Sequence, residues 1–270
     1  MNLLFRPHWI KAAAASAAVV TTTLLSASMA SAATIVDLEL FLSMDVSGSV
    51  DTAEFGLQKT GYVQAFQDAA VQAAIVSKPN GVAVALGQWS TTANTPILGW
   101  TLLKTAADAN AFATAINGIS RLSSGSTCVA CGINAAVSAL QTNDYNGPSI
   151  IDVSGDGSQN QSASNGPAGT STASGARDAA AAFGIKINGL PILGSEGGLL
   201  SWYTNNVKTA DGFVTAAASF DDFNLAVQRK IVREISGDTN VPGPLPILGA
   251  GMALGFSRRL RQRINIATLA

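Results

Sequence analysis

Apolar and polar positions along the chain divide it into short buried runs and longer periodic segments. Nearly continuous apolar runs predict strands at residues 37–44, 82–89, 149–153 and 185–192. Apolar residues at helical spacing predict helices over 55–76, 106–119, 132–140, 173–183 and 220–235. Residues 96–102, with Pro96 at the start, suit an edge strand, and residues 212–216 suit a last short strand. This alternation predicts an α/β fold, a doubly wound, mostly parallel open sheet with helices on both faces.

A long polar segment, residues 155–175, follows the strand at 149–153, which is the fourth strand when the edge strand is counted. The segment is rich in Ser, Gly, Asn, Gln and Thr. We expect it to be a loop at the carboxyl edge of the sheet, where folds of this class build their sites. In the common doubly wound strand order the first and fourth strands are neighbours at the point where the order reverses. The loops that follow these two strands are therefore expected to meet.

The two ends of the chain differ from the body in composition. Residues 1–33 combine a positive start at Arg6 and Lys11, an apolar stretch from Ala12 to Leu25 and the small-residue site Ala30-Ser31-Ala32. This order predicts a secretory signal peptide that is removed on export.

Residues 241–270 form a tail in three parts: a Pro-rich start at Val241–Pro246, a short Gly-rich apolar stretch and a cluster of four Arg. The apolar stretch, residues 245–256, is too short for a firm bilayer anchor, although a transient transmembrane helix is expected there. The order resembles a PEP-CTERM sorting signal, which implies processing by machinery of the exosortase type. Pro242-Gly243-Pro244 stands where that signal usually has Pro-Glu-Pro, which makes sorting a firmer expectation than cleavage.

The remaining body, residues 34–240, is predicted to be one domain and is acidic. It keeps 10 of the 16 Lys and Arg, because two lie in the leader and four in the tail, and all 17 Asp and Glu, which gives a net charge of −7. No basic stripe is present, which argues against nucleic acid, and an anionic partner would need a cation in between. The only His is His8 in the leader, so the body lacks imidazole for triad or zinc chemistry.

Three loops carry oxygen-bearing side chains. Asp45, Ser47 and Ser49 follow the first strand, Thr127 ends a Ser-Gly-rich loop before a helix, and Asp156 follows the fourth strand. Oxygen ligands of this kind suit a hard cation, above all Mg²⁺, with Mn²⁺ or Ca²⁺ as alternatives. Each element also has an ordinary explanation, since Asp, Ser and Gly are common in turns and Thr is a common helix cap.

Asp45-Val46-Ser47-Gly48-Ser49 resembles the first motif of the von Willebrand factor A (VWA) domain, and Thr127 stands where that family has its metal-binding Thr. Residues 36–236 look especially like an uncharacterised bacterial VWA-like family. The resemblance implies a metal-ion-dependent adhesion site (MIDAS), completed by an acidic group on a protein or an extracellular polysaccharide. Many VWA domains have Thr-Asp-Gly directly after the fourth strand, whereas here Ser154-Gly155-Asp156-Gly157 follows Asp152. Asp152 is therefore a rival ligand, although a strand residue is expected to face the helices.

Other chemistry has weaker support. Cys128 and Cys131, the only cysteines, suit a disulfide in an exported protein, with a redox role as the alternative. Trp89, Trp100 and Trp202 suit packing better than sugar stacking. The sequence predicts a secreted or surface ligand-binding domain that is not an enzyme, reaching the membrane only through its tail. A metal-assisted hydrolase of phosphate or sulfate esters and a structural matrix protein with a vestigial site are the alternatives.

Overall fold

A computed structural model of the chain describes residues 32–237, so residues 1–31 of the expected leader and the whole expected sorting tail lie outside them. The strands are β1 (Thr34–Ile35), β2 (Leu38–Asp45), β3 (Val82–Trp89), β4 (Ala93–Leu103), β5 (Tyr145–Asn146), β6 (Ser149–Gly155) and β7 (Lys186–Pro191). The helices are α1 (Thr52–Gln67), α2 (Ala69–Val76), α3 (Ala106–Asn117), α4 (Val129–Gln141), α5 (Ala173–Ala182), α6 (Leu199–Asn206) and α7 (Phe223–Ser236). None of the helices in this range has the length and hydropathy that crossing a bilayer requires.

Five strands form one sheet in the order β4-β3-β2-β6-β7, and β1 pairs with β5 in a separate parallel pair. In the large sheet every neighbouring pair is parallel except β3 and β4, which are antiparallel. β2 and β6 are direct neighbours, with Met44 opposite Ser154 near their carboxyl ends. The doubly wound, mostly parallel α/β fold is confirmed, including the neighbouring first and fourth strands.

The two faces of the sheet are covered by different helices because alternate strand residues point to opposite sides. Leu40 and Leu42 of β2 belong to a core shared with α1, α2, α3 and α7. Phe41, between them, belongs to a second core shared with α4, α5 and α6. Both faces are therefore buried, and the carboxyl edge of the sheet remains for a site.

The structure corrects the predicted elements in several places. The helix expected over residues 55–76 is two helices, because Asp68 ends α1 and its side chain accepts hydrogen bonds from Ala70 N and Val71 N at the start of α2. The edge strand begins at Ala93, so Pro96 lies inside it, where an edge strand tolerates a residue without an N–H. The expected strand at 212–216 amounts to isolated bridges at Val214 and Ala217.

Two features were not anticipated from the sequence. The short β1–β5 pair was missed, and so was α6, whose eight residues begin after a glycine without a side-chain cap. Helix α6 carries Tyr203, which is fully buried under the carboxyl edge of the sheet.

Candidate metal centre

The first loop curls directly after β2 so that its side-chain oxygens converge. Asp45 is fully buried, and its Oδ1 accepts a hydrogen bond of 2.7 Å from the backbone N of Ser47. Ser47 Oγ lies 3.2 Å from Ser49 Oγ. One carboxylate and two hydroxyls thus meet at the end of the central strand.

The third loop joins the first through a direct hydrogen bond. Ser49 Oγ donates to Asp156 Oδ1 at 2.7 Å. Asp156 follows β6, which lies beside β2, and only 2% of the residue is exposed. The strand order therefore brings together two carboxylates that are more than a hundred residues apart in the chain.

Thr127 of the second loop lies beside the same group. It is buried, and its Oγ1 is 3.6 Å from the position that a Cβ on Gly157 would occupy, next to Asp156. Its backbone N donates to Asn160 Oδ1 at 2.8 Å, which ties it to the long polar loop after β6. The N-cap of α4 is Cys128, so the alternative of Thr127 as a helix cap is wrong.

The first and second loops touch at two glycines. Gly48 N donates to Gly125 O at 2.7 Å, and Gly125 has a φ of +148°. A Cβ at Gly125 would collide with Thr91 Oγ1. A side chain at Gly125 would push its loop away from Thr91, and a Cβ at Gly48 would lie 3.1 Å from Gly125 O, so the close packing depends on glycine at both positions.

Arg121 clamps the same two loops and was not identified from the sequence. Its guanidinium donates to the carbonyl oxygens of Val46 and Ser47 at 2.9 and 2.6 Å, and its Nε donates to Ser123 O at 3.0 Å. A charged donor on three carbonyls is a strong restraint on backbone position. No local sequence signal distinguishes this Arg from a surface Arg.

Asp152, the rival carboxylate, lies away from the loops. It is fully buried in β6 on the face covered by α7, where Lys230 Nζ lies 2.7 Å from its Oδ1. Lys230 also lies 2.5 Å from Glu234 Oε1, and Asn188 Nδ2 donates to the same oxygen at 2.9 Å. The carboxyl group of Asp152 is thus committed to a buried ion cluster under α7. Burial and the charge of Asp152 raise the pKa of Glu234.

The electrostatics of the loop site are unbalanced. Burial, with a contribution from the negative charge of Asp156, raises the pKa of Asp45 from 3.8 to about 7. Burial also raises the pKa of Asp156, and nearby Glu196 adds to the rise. Within residues 32–237, neither carboxylate forms an ion pair with a Lys or Arg. Two acids are thus held close together without a compensating side-chain cation.

Asp45 Oδ2 lacks a hydrogen-bond partner among the described residues, and so does the hydroxyl of Tyr203. Gly155 separates them, since a Cβ there would lie 2.6 Å from Asp45 Oδ2 and 2.8 Å from the Tyr203 hydroxyl. Burial next to Asp45 raises the pKa of Tyr203 well above its ordinary value, so this hydroxyl stays protonated. A buried carboxylate oxygen without a partner is costly and is the kind of group a cation satisfies.

Ser195 and Glu196, after β7, extend the site and were also missed. Ser195 Oγ donates to Asp156 O at 2.6 Å, and Glu196 Oε2 accepts from Ser158 N at 2.7 Å. Both follow a neighbouring parallel strand at its carboxyl end, so the rule that predicted the other loops was a usable signal.

Cys128 and Cys131 form a disulfide with a Cα–Cα distance of 5.2 Å. The bridge spans the first turn of α4, directly after Thr127. The tryptophans pack as expected: Trp89 is fully buried, and Trp100 and Trp202 lie against the second core.

The five oxygen-bearing residues fit a hard cation better than a soft one. Among the described residues, no three His, Cys, Asp or Glu side chains group as a metal site. Binding would therefore depend on Ser and Thr hydroxyls together with Asp45 and Asp156. The two carboxylates formally balance the charge of a divalent ion, and the neutral hydroxyls leave room for an open coordination position.

Comparison with solved structures identifies the fold. The chain is similar to proximal thread matrix protein 1 (PTMP1) from the mussel byssus, with 18% identity and a TM-score of 0.51 over 76% of this chain and 47% of that one. It is similar to the pilus adhesin SpaC from Lactobacillus rhamnosus GG, with 15% identity and a TM-score of 0.53 over 74% of this chain and 30% of that one.

A von Willebrand factor type A structure from Catenulispora acidiphila matches with 11% identity and a TM-score of 0.51, over 74% of this chain and 42% of that one. The chain spans less than half the length of each of these proteins, and the likeness establishes a VWA-like fold. A search of curated proteins finds no match. The profile of one family, described as "Protein of unknown function (DUF1194)", matches residues 35–239, and the chain therefore belongs to the DUF1194 family.

Proposed function

We propose that the three loops hold a divalent cation, with Mg²⁺ as the preferred ion and Mn²⁺ or Ca²⁺ as alternatives. Asp45, Ser47, Ser49, Thr127 and Asp156 would provide the protein oxygens. The observation that carries the proposal is the meeting of two buried carboxylates without a cationic side chain, one with an unpartnered oxygen. Two acidic oxygens and neutral hydroxyls suit a hard ion.

The bound ion would serve binding rather than catalysis. An ion with an open coordination position can take an acidic oxygen from a partner, on a protein or on an extracellular polysaccharide. The hydroxyls of Ser47, Ser49 and Thr127 would supply neutral oxygens beside that position. The described residues near the loops include no His, and Asp152 is paired with Lys230, which leaves Glu196 as the carboxylate nearby that could act as a base for hydrolysis.

The comparisons supply further support. One solved structure of PTMP1, with 16% identity and a TM-score of 0.51, has a zinc-occupied MIDAS motif, and SpaC is a pilus adhesin. The same fold thus serves as a metal site in one protein and belongs to an adhesin in another. We extend both properties to this chain as a metal-dependent adhesion domain.

Export and sorting complete the proposal. Residues 1–33 would direct secretion, residues 34–240 would form the binding domain, and residues 241–270 would act as a PEP-CTERM-type signal for exosortase-type machinery. The domain would then act at the cell surface or in the extracellular matrix, with transient membrane contact through the tail. Mass spectrometry of the protein from surface and medium fractions tests this by giving both termini.

Isothermal titration of the full chain with Mg²⁺ and Mn²⁺ tests the metal proposal. We expect one site per chain, lost in Asp45→Ala and retained in the control Asp144→Asn, an exposed carboxylate elsewhere on the surface. No binding by the wild type, or equal binding by Asp45→Ala, would overturn the proposal. Turnover of a panel of phosphate and sulfate esters would favour a hydrolase, and metal-independent adhesion would favour a structural matrix role.

A further inference from the structure

A groove of about 360 Å³ opens beside the three loops of the proposed metal site, the metal loops, which carry Asp45, Thr127 and Asp156. It lies between the first turns of α1 and two segments that follow β7. Ser195 forms part of its lining, and the hydroxyl of Ser195 donates to the backbone oxygen of Asp156 at 2.6 Å. The groove therefore lies next to the metal loops, within reach of a partner bound there.

The lining of the groove combines apolar walls with acidic groups. Leu57, Leu193 and Phe220 provide apolar surface, and Glu54 and Asp221 provide two carboxylates. Among residues 32–237, no Lys or Arg lines it. The volume is at the small end of the range for ligand sites and suits one long side chain better than a whole ligand.

The carboxylates of Glu54 and Asp221 differ in the hydrogen bonds that they already accept. One oxygen of Glu54 accepts a hydrogen bond of 2.8 Å from Asp51 N in the capping box of α1. The Asp221 side chain has no hydrogen bond or ion pair within residues 32–237 and is exposed. Its neighbour Asp222 instead accepts from Ser219 Oγ at 2.9 Å. Asp221 is thus the group that is available to an incoming charge.

We propose that this groove takes the Lys or Arg side chain of a protein ligand whose acidic residue engages the metal loops. The aliphatic stem of such a side chain matches Leu57, Leu193 and Phe220, and its charged end matches Asp221 and Glu54. The inference rests on the proposed metal-dependent function and narrows its partner to a protein. An acidic polysaccharide carries no cationic group to fill the groove, and the carboxylates would repel it.

Fluorescence anisotropy of the full chain with matched short peptides tests the proposal. One set carries an Asp and a Lys at varied spacing, and a second set replaces the Lys with norleucine, which keeps the aliphatic stem without the charge. A third set carries Glu in place of Lys, and polygalacturonate serves as the polysaccharide probe. All are measured in Mg²⁺ and in EDTA, beside titration of Mg²⁺ alone.

We expect the best Asp-Lys peptide to bind about fivefold more tightly than its norleucine counterpart in Mg²⁺, as for a partly exposed ion pair. Asp221→Lys should reverse the preference toward the Glu peptide, whereas Asp144→Asn should leave it unchanged. Asp221 is exposed, so both variants are expected to fold, and circular dichroism checks this.

Equal binding of the Lys and norleucine peptides, no effect of Asp221→Lys, or binding of polygalacturonate alone would overturn the groove proposal. Preference for Lys that persists in EDTA, in a chain that does not bind Mg²⁺, would support the groove while overturning the metal proposal. Binding of Mg²⁺ without any preference for Lys would support the metal proposal and overturn the groove proposal. The failures of the two proposals are therefore distinguishable.

Discussion

Replacing the buried carboxylate of Asp45 is expected to stabilise the metal-free domain while abolishing its response to Mg²⁺. A rise in pKa from 3.8 to about 7 corresponds to a cost of about 4 kcal/mol when the group is ionised in the folded state. Because the pKa of Asp45 is higher in the folded state than in the unfolded state, this cost is absent below the unfolded pKa. It grows as the pH rises and is complete above about pH 7. At pH 8 the metal-free wild type therefore carries the full penalty.

Asp45→Asn removes the charge and keeps an oxygen that can accept from Ser47 N. Its new amide N–H₂ faces a position with no partner in the wild type, which costs about 1–3 kcal/mol. The expected net gain in the free energy of unfolding is about 2 kcal/mol in EDTA at pH 8. Urea denaturation of both proteins measures it.

Mg²⁺ should reverse the order of stability of the wild type and Asp45→Asn. At a hundredfold excess over its dissociation constant, a ligand of the folded state adds about 2.7 kcal/mol to the stability. We expect this gain for the wild type and none for Asp45→Asn, with Asp144→Asn behaving as wild type. A variant that is less stable than wild type in EDTA, or that gains equally from Mg²⁺, would refute the reasoning.

Three further predictions concern the surroundings of the site. Arg121→Ala should weaken Mg²⁺ binding about tenfold, since three loop carbonyls lose a charged donor; titration calorimetry measures this, and unchanged affinity would contradict the positioning role. Lys230→Met should lower the free energy of unfolding by about 3–5 kcal/mol by leaving buried Asp152 and Glu234 without their cation; thermal denaturation measures this, and a loss below 1 kcal/mol would contradict it. The affinity for Mg²⁺ should fall up to about tenfold per pH unit below pH 7, because protonation of Asp45 competes with the ion; titrations at pH 5.5 and 8 measure this, and a flat profile would contradict it.

Much of the fold follows from the sequence because both sheet faces are buried. Strands such as β2 and β6 are buried along almost their whole length, and their short groups of Leu, Phe, Ile and Val between helical segments favour strands. Helix α6 escaped prediction because its eight residues are too few for a clear period and Gly198 gives no cap signal. The division at Asp68 was missed because the apolar spacing continues across it.

The location of the site was predictable, but its supporting contacts were not. Asp45 and Asp156 follow strands that the common doubly wound order makes neighbours, and the structure places them as that order requires. Arg121 donates to backbone carbonyl oxygens. Every residue has such an oxygen, so the sequence does not indicate which ones Arg121 contacts. The buried pair of Asp152 and Lys230 depends on which face of β6 meets α7, which only the packed structure specifies.

Diffraction from crystals soaked in Mn²⁺, recorded at an energy where manganese scatters anomalously, would show directly whether the three loops hold a cation. We predict one anomalous peak at the carboxyl edge of the sheet, among the oxygens of Ser47, Ser49 and Thr127 and the carboxylates of Asp45 and Asp156. The peak should be absent from crystals of Asp45→Ala. A well-diffracting wild-type crystal without a peak at these loops, or with manganese bound only elsewhere, would overturn the proposed metal site.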